Sequence, residues 1–228
     1  MSEKIKNLDP IWEKKYSKGH TQLYPWDLVV SFIFRNFPPN LLRKDFKILE
    51  LGFGTGSNVW FAAREGFQVY GIEASKSAVL FAKKRFELDS LEGDLRLGSF
   101  TELPFFDNYF DLVIDRCSLV CVGYNDQKKA INETRRVLRQ GGSFLHNTYG
   151  KNHSSYLSGE EGKDGLTSNI VHGTLVDNGK LCFSSRKDII EKFKNGWRLK
   201  QIERRKNTET LNYNNSIHEE WVVIAQKI

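Results

Sequence analysis

Short apolar runs alternate with amphipathic stretches through the middle of the chain. The run of Ile48, Leu49 and Leu51 is too short for a globular helix and is typical of a buried parallel strand. Similar runs, each a predicted strand, occupy 67–72, 94–97, 110–114 and 143–148. Apolar residues at helical spacing lie between them, at 59–65, 75–86 and 127–138. This alternation predicts an α/β fold with helices covering both faces of a mostly parallel sheet.

The two ends of the chain have weaker patterns. Before the first strand, a helix is predicted at 26–37, and Trp12 and Tyr16 share one face of a polar segment. After the fifth strand, 149–167 is irregular, and 170–183 reads as a hairpin that turns at Asn178 and Gly179. A capping box at 185–188 predicts a helix to residue 194, and two closing strands follow at 198–204 and 220–226.

The first strand leads into a glycine-rich turn. Glu50 is followed by Gly52, Gly54 and Gly56, and Ser57 or Asn58 can cap the next helix. Glycine has no Cβ, so the backbone can bend sharply here and approach a ligand closely. A strand, such a turn and a helix N-terminus form a nucleotide-type cradle at the carboxyl edge of an open sheet. A tight turn that holds no ligand is the alternative.

The spacing of the glycines indicates which nucleotide is bound. A dinucleotide fingerprint beginning at Gly52 would require glycine at position 57, where Ser57 stands. Glu50 would repel a pyrophosphate but would attract an ammonium group. Glu73 ends the second strand, where an acidic residue commonly takes ribose hydroxyls. A ligand with a ribose, no phosphate and a cationic amino-acid tail fits this pattern.

These residues resemble the class I S-adenosylmethionine-dependent methyltransferases. Two further motifs strengthen the resemblance: L-P-F-F-D-N-Y-F-D-L-V at 103–113 and V-L-R-Q-G-G-S-F at 137–144, in which Gln140 replaces the usual proline. The resemblance implies a Rossmann-like seven-stranded sheet whose last strand is antiparallel and inserted beside the fifth. It also implies S-adenosyl-L-methionine as cofactor and S-adenosyl-L-homocysteine as product.

The resemblance supplies most of the expected cofactor site. The residues expected to hold the cofactor are Glu50, Gly52, Gly54, Gly56, Asn58, Glu73, Ala74, Ser99, Phe100 and Asp115. Ser99 stands where the family usually has an acid for the adenine amino group, so its bond would lack charge assistance. Phe100 would cover one face of the adenine.

Methyl transfer to an oxygen or nitrogen requires neither a metal nor a covalent intermediate, but a hydroxyl acceptor requires a base. The candidate bases are Asp115, at the carboxyl end of the fourth strand, His20 and His153. His146 lies within the fifth strand and is expected to pack in the sheet. An ordinary surface ion pair between Asp115 and Arg116 is the alternative to a role in the site.

The acceptor is expected to be a small molecule enclosed by two variable segments. Residues 1–44 are interpreted as an N-terminal cap or lid, 45–145 as the cofactor-binding core and 149–184 as a substrate loop with a hairpin insertion. The predicted substrate-binding residues are Tyr16, Tyr24, Trp26, Arg116 and Tyr149. Arg116 would orient the acceptor or hold an anionic group on it. Alternatively, the aromatic residues before 44 seal the core.

Composition narrows the class of protein. A chain of 228 residues with 39% hydrophobic and 27% charged residues predicts a single globular domain. The sequence has no recognisable secretory signal and no apolar run long enough to span a membrane. Its three cysteines indicate neither a disulfide framework nor a metal site, so a cytoplasmic location is expected. The protein is expected to be a monomer or a homodimer. The net charge of +6 is dispersed, which makes nucleic acid an improbable partner. An RNA- or protein-directed methyltransferase and a non-catalytic cofactor binder remain the alternatives.

Overall fold

Seven strands form the main sheet in a computed structural model that describes residues 9–211 and 215–228. The strands are β1 (Lys47–Leu51), β2 (Gln68–Glu73), β3 (Asp94–Leu97), β4 (Phe110–Arg116), β5 (Leu138–Tyr149), β9 (Trp197–Thr208) and β10 (Ile217–Lys227). Their order is β3-β2-β1-β4-β5-β10-β9, and β10 runs antiparallel to both of its neighbours. The predicted fold class is confirmed, including the insertion of the last strand beside β5.

Between residues 9 and 211 the structure shows seven α-helices, which precede the sheet or pack around it. They are α1 (Ile11–Ser17), α2 (Asp27–Asn36), α3 (Ser57–Arg64), α4 (Lys76–Leu88), α5 (Tyr124–Val137), α6 (Ser154–Leu157) and α7 (Arg186–Lys192). Three 3₁₀ helices cover Arg43–Asp45, Leu119–Cys121 and Lys163–Gly165. Within the described ranges, no helix has the length and apolar character needed to cross a bilayer.

Two apolar clusters hold helices on opposite faces of the sheet. One cluster joins α2, α3 and α4 to the sheet through residues such as Phe32, Val59 and Phe86. The other cluster includes Ile131 of α5 and Ile189 of α7. Burial of these side chains is the main favourable contribution to the fold, at about 25 cal/mol per Å² of apolar surface.

The strand order creates a switch point at the carboxyl ends of β1 and β4. β1 pairs in parallel with β2 on one side and with β4 on the other. The helix after β1 and the helix after β4 therefore lie on opposite faces, and the loops at the carboxyl ends of these two strands separate. Open α/β sheets bind ligands in the crevice at such a switch point.

The segment after β5 differs from the predicted loop and hairpin. It contains α6 and a small antiparallel sheet of β6 (Glu160–Glu161), β7 (Leu166–Ser168) and β8 (Leu181–Cys182). β7 and β8 pair, but 169–180 is an irregular connection rather than a continuation of a hairpin. The Leu175 amide donates to Ser155 Oγ (3.1 Å), which ties this connection to α6, and the Asn178 amide donates to the Leu175 carbonyl (3.3 Å), so the chain turns before Asn178 and Gly179. The prediction of a tight turn at Asn178 and Gly179 was wrong for that reason.

Candidate active site

A cleft of about 300 Å³ opens at the carboxyl edge of the sheet, between the ends of β1 and β4. Its volume is at the lower end of the range of small-molecule pockets, ~300–1,000 Å³. The predicted site residues that line it are Tyr16, His20, Trp26, Glu50, Gly52, Gly54, Asn58, Glu73, Ala74, Phe100, Arg116 and Tyr149. The sheet edge forms the floor of the cleft and the N-terminal segment covers it.

The glycine turn is shaped by backbone that other residues rarely adopt. Gly54 has φ +55°, and a Cβ built on it would lie 2.7 Å from the hydroxyl oxygen of Tyr16. Gly56 has φ +82° and precedes the first residue of α3, but it does not line the cleft. Gly54 therefore permits close approach to the cleft, whereas Gly56 permits the bend that starts the helix.

Glu50 is a buried carboxylate with one oxygen unused. Its side chain comes from β1, and the residue is 2% exposed. Oε1 accepts a hydrogen bond from Asn58 Nδ2 (2.7 Å), whereas Oε2 has no hydrogen-bond partner among the described residues. Burial raises the pKa of Glu50 to about 8; the Asn58 bond opposes this rise and the charge of Glu73 adds to it. A buried acceptor without a partner is costly, and a cationic ligand would satisfy it.

Glu73 supports the turn as well as lining the cleft. Its Oε2 accepts from the Gly54 amide (2.8 Å) and its Oε1 accepts from the Ser75 amide (2.8 Å). Burial raises the pKa of this carboxyl above its ordinary value, against the effect of these two bonds. Each carboxylate oxygen can accept a second hydrogen bond, so Glu73 keeps capacity for hydroxyl groups in the cleft.

Of the two residues predicted to contact the adenine, one lines the cleft and the other does not. Phe100 lines the cleft as expected. Ser99 does not line it, because its hydroxyl accepts from the Thr101 amide (3.2 Å) and lies 2.8 Å from the Thr101 hydroxyl. The predicted contact of Ser99 with an adenine amino group is therefore not supported by its position.

Asp115 is buried beneath the cleft and does not line it. Its Oδ1 accepts from the Ser118 amide (2.8 Å) and the Leu119 amide (3.1 Å), and its Oδ2 lies 2.6 Å from His146 Nδ1. β4 continues for two residues beyond the predicted 110–114, to Arg116, and successive side chains of a strand point to opposite faces. Arg116 therefore reaches the cleft, and the predicted role of Asp115 as base or cofactor ligand was wrong. His146 packs in the sheet as expected.

His153 and Tyr24 also lie outside the cleft. His153 Nδ1 accepts from the Ser155 amide (3.0 Å), and Nε2 lies 3.1 Å from His218 Nδ1. Burial lowers the pKa of His153 to about 4, and its ring packs edge-on against that of Tyr149 at 5.7 Å. Because both ring nitrogens are occupied, His153 is a structural residue and not the predicted base. Tyr24 is 71% exposed and does not line the cleft, so the structure does not place it where the predicted contact with substrate requires.

The N-terminal segment forms a roof over the cleft, which we define as residues 9–26. Trp12, Tyr16 and His20 line the cleft, and the ring centroids of Tyr16 and His20 are 5.7 Å apart. Glu13 fastens the roof to the start of α4, because its carboxylate accepts from the hydroxyls of Ser75 and Ser77 (both 2.5 Å).

A second set of bonds fastens the roof to the glycine turn. Thr55 Oγ1 accepts from the Gln22 amide (3.0 Å) and donates to the Gln22 carbonyl (3.1 Å). The Trp26 amide donates to Asn58 Oδ1 (3.0 Å). Asn58 thus joins the roof to the buried carboxylate of Glu50.

The remaining wall is built from Arg116, Cys117 and Tyr149. Arg116 Nη1 donates to Cys117 Sγ (2.7 Å), and its guanidinium lies 4.2 Å from the centre of the Trp26 ring. Burial raises the pKa of Cys117 to about 12 and that of Tyr149 well above its ordinary value. Both groups are therefore neutral near pH 7.

Several wall residues were not predicted as site residues, namely Trp12, Gln22, Phe53, Thr55, Ser57, Cys117, Ser118, Val120, Cys121, Asn178 and Leu181. Thr55 lies between Gly54 and Gly56, and its position within the glycine turn could have identified it as a site residue. Asn178 and Leu181 reach the cleft only through the folding of the inserted segment, for which the sequence contains no comparable signal.

The chain is similar to known methyltransferases and to an uncharacterised protein. The family model of the methyltransferase domain matches residues 49–146. An uncharacterised protein of Haemophilus influenzae is 25% identical over 158 residues, which cover 68% of this chain and 56% of that protein. A demethylmenaquinone methyltransferase of Renibacterium salmoninarum is 34% identical over 110 residues, covering 46% of this chain and 44% of that enzyme. The chain thus spans about half the length of these curated relatives.

The fold is shared with solved structures. A crystal structure of a S-adenosylmethionine-dependent methyltransferase from Methanosarcina mazei superposes with a TM-score of 0.70 at 19% identity. The match covers 90% of this chain and 99% of that one. At this identity the likeness concerns the fold.

Proposed function

We propose that the chain is a S-adenosylmethionine-dependent methyltransferase that transfers a methyl group to an oxygen or nitrogen of a small-molecule acceptor. The match of the methyltransferase-domain family model to residues 49–146 and the shared fold support this proposal. The roof and the inserted segment support a small acceptor, since residues from both line the cleft. We also propose that residues 1–228 form one domain, in which 1–44 is the lid, 45–145 the cofactor core and 149–184 the substrate segment; residues 1–8 of the proposed lid lie outside the described residues.

One observation carries the proposal: the buried Oε2 of Glu50 has no partner among the described residues. It lies beside a turn that a side chain at position 54 would obstruct. S-Adenosylmethionine, when bound, supplies a methyl group activated by a sulfonium leaving group. Glu50 and Asn58 would hold its amino-acid end, Glu73 its ribose hydroxyls, and Phe100 its adenine.

The chain's own contribution to the reaction would be positioning and the exclusion of water. Transfer requires the acceptor atom in line with the methyl group at about 3–3.5 Å, and such positioning can supply most of the rate. The roof bonds of Gln22, Trp26 and Glu13 would keep the cleft closed during this step. His20 is the remaining predicted base in the wall and would accept the proton of a hydroxyl acceptor.

The relatives support a second candidate. Similarity to a demethylmenaquinone methyltransferase and to a ubiquinone/menaquinone biosynthesis C-methyltransferase favours transfer to a carbon of a quinone-type ring. Flat apolar walls for such a ring would be provided by Trp12, Tyr16, Trp26 and Tyr149. RNA- or protein-directed transfer and non-catalytic binding are further alternatives. A cytoplasmic location and a monomeric or homodimeric state remain predictions.

Calorimetry with S-adenosylhomocysteine tests the cofactor proposal. We expect one molecule to bind per chain, and an absence of heat at high micromolar ligand would favour a non-catalytic scaffold. A metabolite screen with isotopically labelled methyl donor then tests the acceptor. A labelled methyl group on an oxygen or nitrogen atom of a small molecule supports the proposal. A labelled methyl group found only on a ring carbon, on RNA or on protein supports the corresponding alternative.

A further inference from the structure

The proposed cofactor contacts use some, but not all, of the charged side chains that line the cleft. Among the described residues that line it, Glu50 and Glu73 carry carboxylates and Arg116 carries the permanent positive charge. The cofactor proposal uses both carboxylates. It leaves Arg116 without a function.

Arg116 has hydrogen-bond donors to spare. Nη1 donates to Cys117 Sγ (2.7 Å). Nε is buried and has no hydrogen-bond partner in the part of the chain that the structure describes. Nη2 lies 3.8 Å from Glu220 Oε2, which is ion-pair distance but too long for a hydrogen bond. Nε and Nη2 share one edge of the guanidinium, and this edge matches two oxygens of one oxyanion.

The arginine is also held in place before any ligand arrives. Its side chain is 15% exposed, and its guanidinium lies 4.2 Å from the centre of the Trp26 ring, whose own backbone amide is bonded to Asn58. Binding to a fixed side chain loses little conformational entropy. Thus the geometry of Arg116 is that of a preformed recognition group.

Glu220 only partly neutralises this charge. Its Oε2 also accepts from Asn147 Nδ2 (3.3 Å), and its Oε1 lies 3.9 Å from Arg205 Nη1. One carboxylate is therefore shared between two arginines and an amide. Arg205 is paired more closely with Glu203 (Nε to Oε1, 2.9 Å), so the charges of the two arginines are matched by two carboxylates. What Arg116 lacks is therefore a hydrogen-bond acceptor at its buried Nε, and no neighbouring carboxylate supplies one among the described residues.

We propose that Arg116 binds an oxyanion of the methyl acceptor, a carboxylate or a phosphate, through its Nε and Nη2 edge. This inference rests on the proposed function, because it assigns the acceptor to the class of small anionic molecules. Neutral compounds with the same methylated group would bind poorly, because they would leave the Arg116 donors buried without a partner. The alternative is a purely structural arginine that joins the roof to Cys117 and Glu220.

Nuclear magnetic resonance of the full chain tests this directly. Arginine is labelled with ¹⁵N, the protein is saturated with S-adenosylhomocysteine, and the Nε–H resonance of Arg116 is identified by its loss in Arg116→Lys. Sodium acetate and inorganic phosphate are then titrated separately to about 50 mM, a range suited to millimolar dissociation constants. Sodium chloride at matched ionic strength and acetamide serve as controls.

We expect a saturable downfield shift of the Arg116 Nε–H proton with acetate, with phosphate or with both, and none with chloride or acetamide. The probe that saturates at lower concentration identifies the carboxylate or the phosphate as the recognised group. Absence of a saturable shift with either oxyanion, or an equal response to chloride, would overturn the inference.

Variants separate this inference from the proposed function. Arg116→Gln lacks the reporting resonance, so its oxyanion binding is followed by the backbone amide resonances around the cleft; it should be weaker than that of wild type by about tenfold or more, as expected for loss of a charge-assisted pair. Arg205→Gln removes the same charge from the other partner of Glu220, outside the cleft wall, and should leave the Arg116 response within about twofold. S-Adenosylhomocysteine binding without an oxyanion response refutes only the acceptor class. An oxyanion response without S-adenosylhomocysteine binding, measured in the ligand-free protein, refutes only the cofactor proposal.

Discussion

Replacement of Glu50 by glutamine should make the ligand-free protein more stable and the cofactor site weaker. Glutamine has nearly the same shape, and its carbonyl oxygen can still accept the hydrogen bond from Asn58 Nδ2. The substitution therefore removes the buried charge and leaves the packing. We expect opposite effects on folding and on binding, because the wild-type charge is unfavourable in the empty cleft and favourable against a cationic ligand group.

The magnitude follows from the pKa of Glu50, which burial raises from 4.5 to about 8. Between these two values the folded protein retains a proton that the unfolded chain has released, so the free energy of unfolding falls as pH rises. One pKa unit corresponds to about 1.4 kcal/mol, so the loss at pH 7.5 is about 4 kcal/mol. Wild type keeps its full stability below pH 4.5 and loses this amount as pH rises to about 8, whereas the glutamine variant, which does not titrate at this position, does not undergo the loss.

Urea unfolding at several pH values between 5 and 8, with calorimetry of S-adenosylhomocysteine binding, measures both effects. The variant should gain stability over wild type progressively with pH and bind S-adenosylhomocysteine about tenfold or more weakly. Glu87→Gln, an exposed position on α4, is the matched control and should change neither quantity appreciably. A glutamine variant with unchanged affinity and a stability difference independent of pH would refute the reasoning.

Four further predictions follow from the same contacts. S-Adenosylhomocysteine binding at pH 7.5 should release about three quarters of a proton from Glu50, measured by calorimetry in buffers of different ionisation enthalpy, and zero release contradicts this. Gly54→Ala should weaken S-adenosylhomocysteine binding, because its Cβ would lie 2.7 Å from the Tyr16 hydroxyl oxygen; unchanged calorimetry counts against the site. Thr55→Val should speed amide exchange at Gln22, measured by hydrogen exchange, and unaltered exchange means that Thr55 does not fasten the roof. Asp115→Asn should lower the free energy of unfolding by about 1–3 kcal/mol and leave turnover intact, whereas lost turnover at full stability would restore its role as base.

The cofactor half of the cleft was predictable because its signals are local. Glu50, the glycines and Glu73 lie at the ends of two strands, and the strand order brings these ends together. Predictions of a side chain's direction were less secure. β4 extends two residues beyond its predicted end, through Asp115 and Arg116, and because strand side chains alternate between faces Arg116 lies in the wall and Asp115 beneath it.

The acceptor half depends on contacts between distant parts of the chain. His153 was predicted on the cleft wall, but its bonds to Ser155 and His218 hold it behind Tyr149. Asn178 reaches the wall because its connection folds onto α6 and not into a hairpin. Neither arrangement follows from a local pattern, since each depends on a partner distant in the sequence.

A crystal structure of the protein with S-adenosylhomocysteine tests the central claim most directly. We expect the ligand's ammonium group within about 3 Å of Glu50 Oε2 and its ribose hydroxyls at hydrogen-bond distance from the Glu73 carboxylate. A ligand bound elsewhere, or a cleft in which both carboxylates turn away from the ligand, would contradict it.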